Sequence, residues 1–154
     1  MNSIKAWVIT AFAVVSSWLG TLAIPVYILL GCNIIDYITG IAAAKNRGKE
    51  VSSYYGMMGI VKKVFMYLLV IIGVFVDIML QYIVTNLGLP IVLPYVVGCF
   101  VAVWLVLNEI ISILENLNDI GVPMPPFLIP LVKRLKKQVE ESAEEKEEQH
   151  EDRT

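Results

Sequence analysis

Residues 64–108 read VFMYLLVIIGVFVDIMLQYIVTNLGLPIVLPYVVGCFVAVWLVLN and carry a single formal charge, Asp77. As one α-helix this stretch would be roughly 68 Å long, more than twice the hydrocarbon thickness of a bilayer at about 30 Å. Near its middle, Thr85-Asn86-Leu87-Gly88-Leu89-Pro90 supplies a polar, flexible break, and Pro90 is acceptable at a helix start. The stretch therefore predicts two membrane-crossing helices, over about 64–84 and about 91–118.

The pattern repeats upstream. Between Lys5 and Lys45 the only charge is Asp36, and Ala6 to Ala44 as a helix would measure roughly 58 Å. Gly20 and Pro25 bracket a turn, giving spans of about 7–22 and 25–44; the alternative is three crossings with a re-entrant or interfacial remainder. Lys5 followed by an apolar run loosely fits a cleaved leader, but another membrane helix follows, so the segment is read as a retained first helix. The 154 residues are 57% apolar and 17% charged, against about 45–50% and about 25% in soluble domains. A chain this small has too much surface for its volume to bury such a surplus, and lipid is the solvent that resolves the conflict. Cys32 and Cys99 lie in apolar runs and read as inert thiols, not as a disulfide framework.

Orientation follows from the placement of Lys and Arg. Lys45, Arg47, Lys49, Lys62 and Lys63 mark a basic loop over 45–63, Lys5 precedes the first span, and Lys133, Arg134, Lys136 and Lys137 follow the last, whereas the turns at 20–25 and 85–90 carry no charge. With four helices every basic cluster falls on one side, so both termini and the middle loop are expected in the cytoplasm. The expected organisation is an all-α integral membrane domain over 1–120, a Pro-rich break and interfacial amphipathic helix over 121–139, and an acidic cytoplasmic tail over 140–154. In the second region Phe127, Leu128, Leu131, Val132, Leu135 and Val139 recur at helical spacing opposite the basic residues, a pattern suited to anionic lipid headgroups. The tail reads as solvated and disordered, and His150 within it has no assigned role.

Polar groups inside the spans each need a reason, because unpaired ionisable groups there cost on the order of 2.5–3.5 kcal/mol by insertion scales. Asn33, Asp36 and Gly40 share one face of the second helix, which suits close approach and hydrogen bonding to another helix. Asp77 lies past the middle of the third. In the fourth, Asn108, Ser112, Glu115 and Asp119 form a stripe flanked by Glu109 and Asn116, and such a stripe must face a bundle, a partner or water. Asn33, Asp36, Gly40, Asp77, Asn108, Glu109, Ser112 and Glu115 are thus candidates for helix association or pore lining. The basic residues from Lys45 to Lys63 and from Lys133 to Lys137 are candidates for the membrane surface. The spans hold no His, metal-ligand spacing, phosphate-binding glycine loop or paired nucleophile and base, so no enzyme, metal site, cofactor or nucleic-acid partner is expected.

Several strings together resemble a known family. Asp36-Tyr37-Ile38-Thr39-Gly40, then Ser52-Ser53, then Gly56-Met57-Met58-Gly59-Ile60-Val61-Lys62-Lys63, with Asp77 in the next helix, are similar to the signature of the phage-lysis and toxin-secretion holins. Asn108-Glu109-Ile110-Ile111-Ser112-Ile113-Leu114-Glu115-Asn116 and Gly121-Val122-Pro123-Met124-Pro125 resemble its second signature, and the likeness runs from about residue 25 to 135. The resemblance implies a homo-oligomer in the bacterial cytoplasmic membrane that permeabilises it, so that an endolysin reaches the wall or a toxin escapes, without necessary direct contact with either. The competing expectation is a selective ion channel or small transporter subunit that uses the intramembrane carboxylates.

Overall fold

The computed structural model describes residues 2–48, 53–92 and 94–151. Five α-helices follow one another: α1 (Asn2–Leu19), a 3₁₀ turn (Gly20–Leu22), α2 (Ala23–Asn46), α3 (Ser53–Asn86), α4 (Val96–Ile120) and α5 (Leu128–Glu151). No strand occurs among the described residues. Three segments, Gly20–Asn46, Gly56–Asn86 and Val96–Ile120, are long and apolar enough to cross a membrane. Their large apolar side chains, among them Ile28, Phe65, Phe75 and Met79, are mostly exposed, as helices solvated by lipid require.

The helix ends follow local chemistry. Pro25 falls in the first turn of α2, where its missing N–H costs no hydrogen bond. Gly20 bends the chain between α1 and α2 with φ +53°, a left-handed conformation that favours glycine. Beyond that bend α1 touches α2 little, although the Ser16 and Tyr27 hydroxyls share a hydrogen bond at 2.7 Å. α4 ends at Gly121, also left-handed, whose N–H reaches Asn118 O at 3.0 Å while Val122 N–H reaches Leu117 O at 3.0 Å. This glycine stop satisfies carbonyls of the last turn before Pro123 prevents continuation.

Three boundaries differ from the sequence expectation. α3 begins at Ser53 and not near 64, which makes it 34 residues or about 51 Å long and carries Lys62 and Lys63 into the helix. α4 begins at Val96 instead of 91: Pro94 has no N–H to donate, and Tyr95 just before the helix is left-handed with φ +51°. The acidic segment expected to be disordered is helical as far as Glu151, continuous with the amphipathic stretch.

α4 is the centre of the bundle, packed by α2, α3 and α5, whereas α2 and α3 barely meet. The core where they converge comprises Leu22, Leu29, Val70, Ala102, Leu105 and Val106. The starts of α2 and α4 meet at Thr21 and Pro94 and their ends at Asn46 and Asp119, so the two helices run parallel and α3 runs against both. The α3–α4 crossing is close: a Cβ on Gly73 would lie 3.0 Å from Gly98 Cα, so two glycines facing each other set the approach of the backbones. At one end Thr21 Oγ1 donates to Pro94 O at 3.1 Å; at the other Asn46 Nδ2 donates to Asp119 O at 2.7 Å and Arg47 pairs with Asp119 at 3.0 Å.

Candidate functional site

Asp36 lies about 20 Å from the start of α2, and Glu109 about 20 Å from the start of α4. In parallel helices that register puts the two carboxylates at one level, and α3 brings Lys63 to them from the opposite direction. Lys63 Nζ donates to Asp36 Oδ2 at 2.8 Å and Asn33 Oδ1 at 3.3 Å, and also to the Glu109 carboxylate. The cluster is wired further at both edges. Asn33 Nδ2 donates to Tyr67 Oη at 3.0 Å, and Asn116 Nδ2 donates to Asp36 Oδ1 at 3.0 Å. Asn33 and Glu109 are buried, and the side chains of Lys63 and Asp36 are only 15% and 16% exposed. Two carboxylates share one ammonium, so the charge is not balanced, but no buried side-chain polar atom among the described residues lacks a hydrogen-bond partner. Such pairing is what retains charged groups inside a membrane bundle.

The structure therefore gathers Asn33, Asp36 and Glu109 from the sequence candidates, and adds Lys63, Tyr67 and Asn116. Lys63 was expected at the membrane surface; its ammonium is instead enclosed by α2 and α4, because α3 starts a full three turns earlier than the charge pattern implies. Gly40 belongs to the same face, where an added Cβ would lie 3.6 Å from Asn116 Nδ2. A signal for this cluster existed in the sequence: an acid at mid-span needs a cation, and Lys63 is a basic residue beside an apolar run.

Asp77 is not part of this cluster. It is 2% exposed, and its Oδ1 and Oδ2 accept the backbone N–H groups of Val97 and Gly98 at 2.9 and 2.8 Å. It thus caps the N-terminus of α4, whose own N-cap position, Tyr95, is left-handed with no side-chain cap. Glu115 faces away from the cluster and pairs with Lys133 of α5 at 3.3 Å. Asn108 and Ser112 lie between Trp104 and Glu115 on the same side of α4 by helical spacing. Lys136 sits over the Trp104 ring, 5.1 Å from its centroid, and Lys137 pairs with Glu141 at 3.3 Å. Lys45, Lys62 and Arg134 are exposed. Lys49 lies outside the described residues. Trp104 and Glu140, joined at 2.8 Å, were not singled out by sequence; an indole N–H in an apolar run is a donor that needs a partner.

Cys32 and Cys99 are free thiols. No group of His, Cys, Asp or Glu able to hold a metal occurs among the described residues. The bundle and its buried ion pairs define a helical membrane protein whose three strongly apolar segments are tied together by internal polar contacts.

The sequence profile of the bacteriophage holin family matches residues 13–137. The chain belongs to that family, which is not an enzyme family. It is 33% identical over 137 residues to an uncharacterised protein of Halalkalibacterium halodurans, covering 88% of this chain and 96% of the relative. It is 32% identical over 139 residues to an uncharacterised 14.9 kDa protein in the nagH 3′ region of Clostridium perfringens, covering 90% and 96%. A second C. perfringens protein is 32% identical over 123 residues, covering 79% and 83%. No solved structure matches the chain.

Proposed function

We propose that the chain oligomerises in the bacterial cytoplasmic membrane and permeabilises it, releasing an endolysin during phage lysis or a toxin. The observation that carries this reading is the Asp36–Lys63–Glu109 cluster in a chain of the holin family. In a monomer the cluster holds three helices together with its polar groups turned inward. When copies associate, the same groups can exchange their partners for water and line a lesion, since charged side chains at membrane depth are stable only in a bundle interior or a wet cavity.

The proposed topology has four crossings, with α1 as the first. Its Ile4, Trp7, Val8 and Ile9 are exposed, and a crossing would place Lys5 on the same side as the basic loop, with both termini cytoplasmic. α5 offers its basic residues to anionic headgroups in this reading.

A selective ion channel would draw support from the same carboxylates, and permeant size separates the two. The purified chain, reconstituted into vesicles loaded with calcein and a labelled globular protein, is expected to release both. Retention of both solutes alongside rapid ion flux would replace the lytic reading with the channel.

A further inference from the structure

The Asp36–Lys63–Glu109 cluster carries one acid more than it has bases, and the helices around it supply no second cation. α2 presents Asp36 to it, with the Cys32 thiol in electrostatic reach, and α3 presents Lys63 and the Tyr67 hydroxyl. Asn33 and Asn116 are neutral. The other described cations are engaged or turned outward. Lys133 and Lys136 of α5 meet Glu115, Glu140 and the Trp104 ring, Arg47 meets Asp119, and Lys5, Lys45 and Lys62 are exposed. Burying the excess negative charge costs far more than burying the same carboxyl in its neutral form. Asp36 accepts from Lys63 on one oxygen and from Asn116 on the other, whereas Glu109, 4% exposed, accepts from Lys63 alone among the described residues. Donors to a carboxylate favour its ionised form, so Glu109 is the acid with less support for its charge.

We propose that the cluster is a proton-binding site: in the closed bundle Glu109 holds one exchangeable proton, and loss of that proton to water commits the chain to the open assembly. The proposal rests on the pore-forming reading and names how its polar cluster is regulated. In the step itself the Glu109 O–H bond breaks, a water molecule takes the proton, and the carboxylate is left facing a wet lumen that solvates it. A way in exists. α2 and α3 barely meet, and Gly59, one turn before Lys63 on the same face of α3, has open space where a Cβ would lie. Because the closed state binds one proton more than the open one, acid favours the closed bundle. Opening becomes easier as pH rises, by up to about tenfold in the closed–open equilibrium per pH unit while the proton is being lost.

The test uses the full chain with two readouts. Infrared spectra of the chain held as monomers in detergent at neutral pH are expected to contain a protonated-carboxyl C=O band. Glu109→Gln, neutral at every pH, should remove it, and Glu115→Gln, at an acid paired with Lys133 on the other side of α4, should keep it. In calcein-loaded vesicles buffered alike on both sides, the parent is expected to release dye up to about tenfold faster per unit of rising pH. Glu109→Gln should release it at one slow rate throughout. The acidic tail and His150 are present in both chains, so an equal slope in the Gln variant would overturn the switch. A parent spectrum without the band would overturn the proton site and leave pore formation standing, and this arm needs no variant to fold. A band lost in Asp36→Asn but kept in Glu109→Gln would overturn the assignment to Glu109. Failure of the parent to release dye at every pH would remove the pore reading and the switch together, while the band still reports on the proton site.

Discussion

The Asp77 carboxylate accepts the backbone N–H of Gly98 at 2.8 Å, and its second oxygen accepts that of Val97 at 2.9 Å. One helix of the bundle thus supplies the cap of the next. The first N–H groups of a helix have no intrahelical acceptor, and at membrane depth no bulk water replaces one. Asp77→Ala is expected to destabilise the fold by about 2–3 kcal/mol, combining a lost cap with buried donors left unpaired. Asp77→Asn keeps one acceptor oxygen and should fall between Ala and the unaltered chain. Melting temperatures followed by circular dichroism in one detergent rank the three; equal values would show that the cap contributes nothing.

The cap and the α3–α4 crossing occupy one place. A Cβ on Gly73 would meet Gly98 Cα at 3.0 Å and Gly98 N at 3.1 Å, both backbone atoms that cannot swing aside. Gly73→Ala is expected to cost about 1–3 kcal/mol through separation of the two helices. Gly59→Ala is the control in the same helix, because nothing lies within 4 Å of its added Cβ, and it should be neutral or slightly stabilising. A chain that tolerates both equally would place the crossing elsewhere.

How far the sequence could be read depends on which kind of signal each residue sends. Uncharged runs expose the spans directly, because the absence of Asp, Glu, Lys and Arg is a long-range pattern that lipid enforces. Lys62 and Lys63 were assigned to a loop by that rule. The same rule cannot recognise a cation that belongs to a buried pair, so the first turns of α3 were missed. Asp36 and Glu109 stood out as acids in apolar helices, but their common level follows from the parallel register of α2 and α4, which no local pattern encodes. Pro90 carried the helix-start signal, yet a second proline at Pro94 and a left-handed Tyr95 delay α4 to Val96. The return of α5 along α4 was illegible for a physical reason: a basic amphipathic face suits anionic headgroups and a polar helix surface equally well.

Sidedness can be read from the two ends of the bundle. Thr21 bonds to Pro94 O at one end, and Arg47 pairs with Asp119 at the other. In a background lacking Cys32 and Cys99, Thr21→Cys and Asn86→Cys are expected to react with an impermeant maleimide in intact cells, and Lys45→Cys only after the cells are opened. Ser3→Cys distinguishes four crossings from three, since a cytoplasmic N-terminus is protected and an external one is labelled. Labelling at Lys45→Cys in intact cells would invert the whole arrangement.

Lys63 serves two acids from two helices, so its removal and its neutral replacement should differ sharply. Lys63→Ala leaves Asp36 and Glu109 facing each other without their cation, and breaking a buried pair in this way costs about 3–5 kcal/mol. The expected result is a large fall in melting temperature and in the amount recovered from membranes. Asp36→Asn retains an oxygen for the Asn116 amide but loses the charge that holds Lys63, whereas Asp36→Leu loses both contacts, so Leu should be the more damaging. The combination Lys63→Met, Asp36→Asn and Glu109→Gln keeps volume and most hydrogen-bonding capacity while removing every charge. Buried ion pairs replaced by neutral groups are often tolerated, so the triple variant is expected to recover most of the stability lost in Lys63→Ala. Its dye release is expected to begin at a different time from that of the unaltered chain, because the groups proposed to line the lesion no longer carry charge. A Lys63→Ala protein as stable as the parent would mean that the three groups do not share their charge in the membrane.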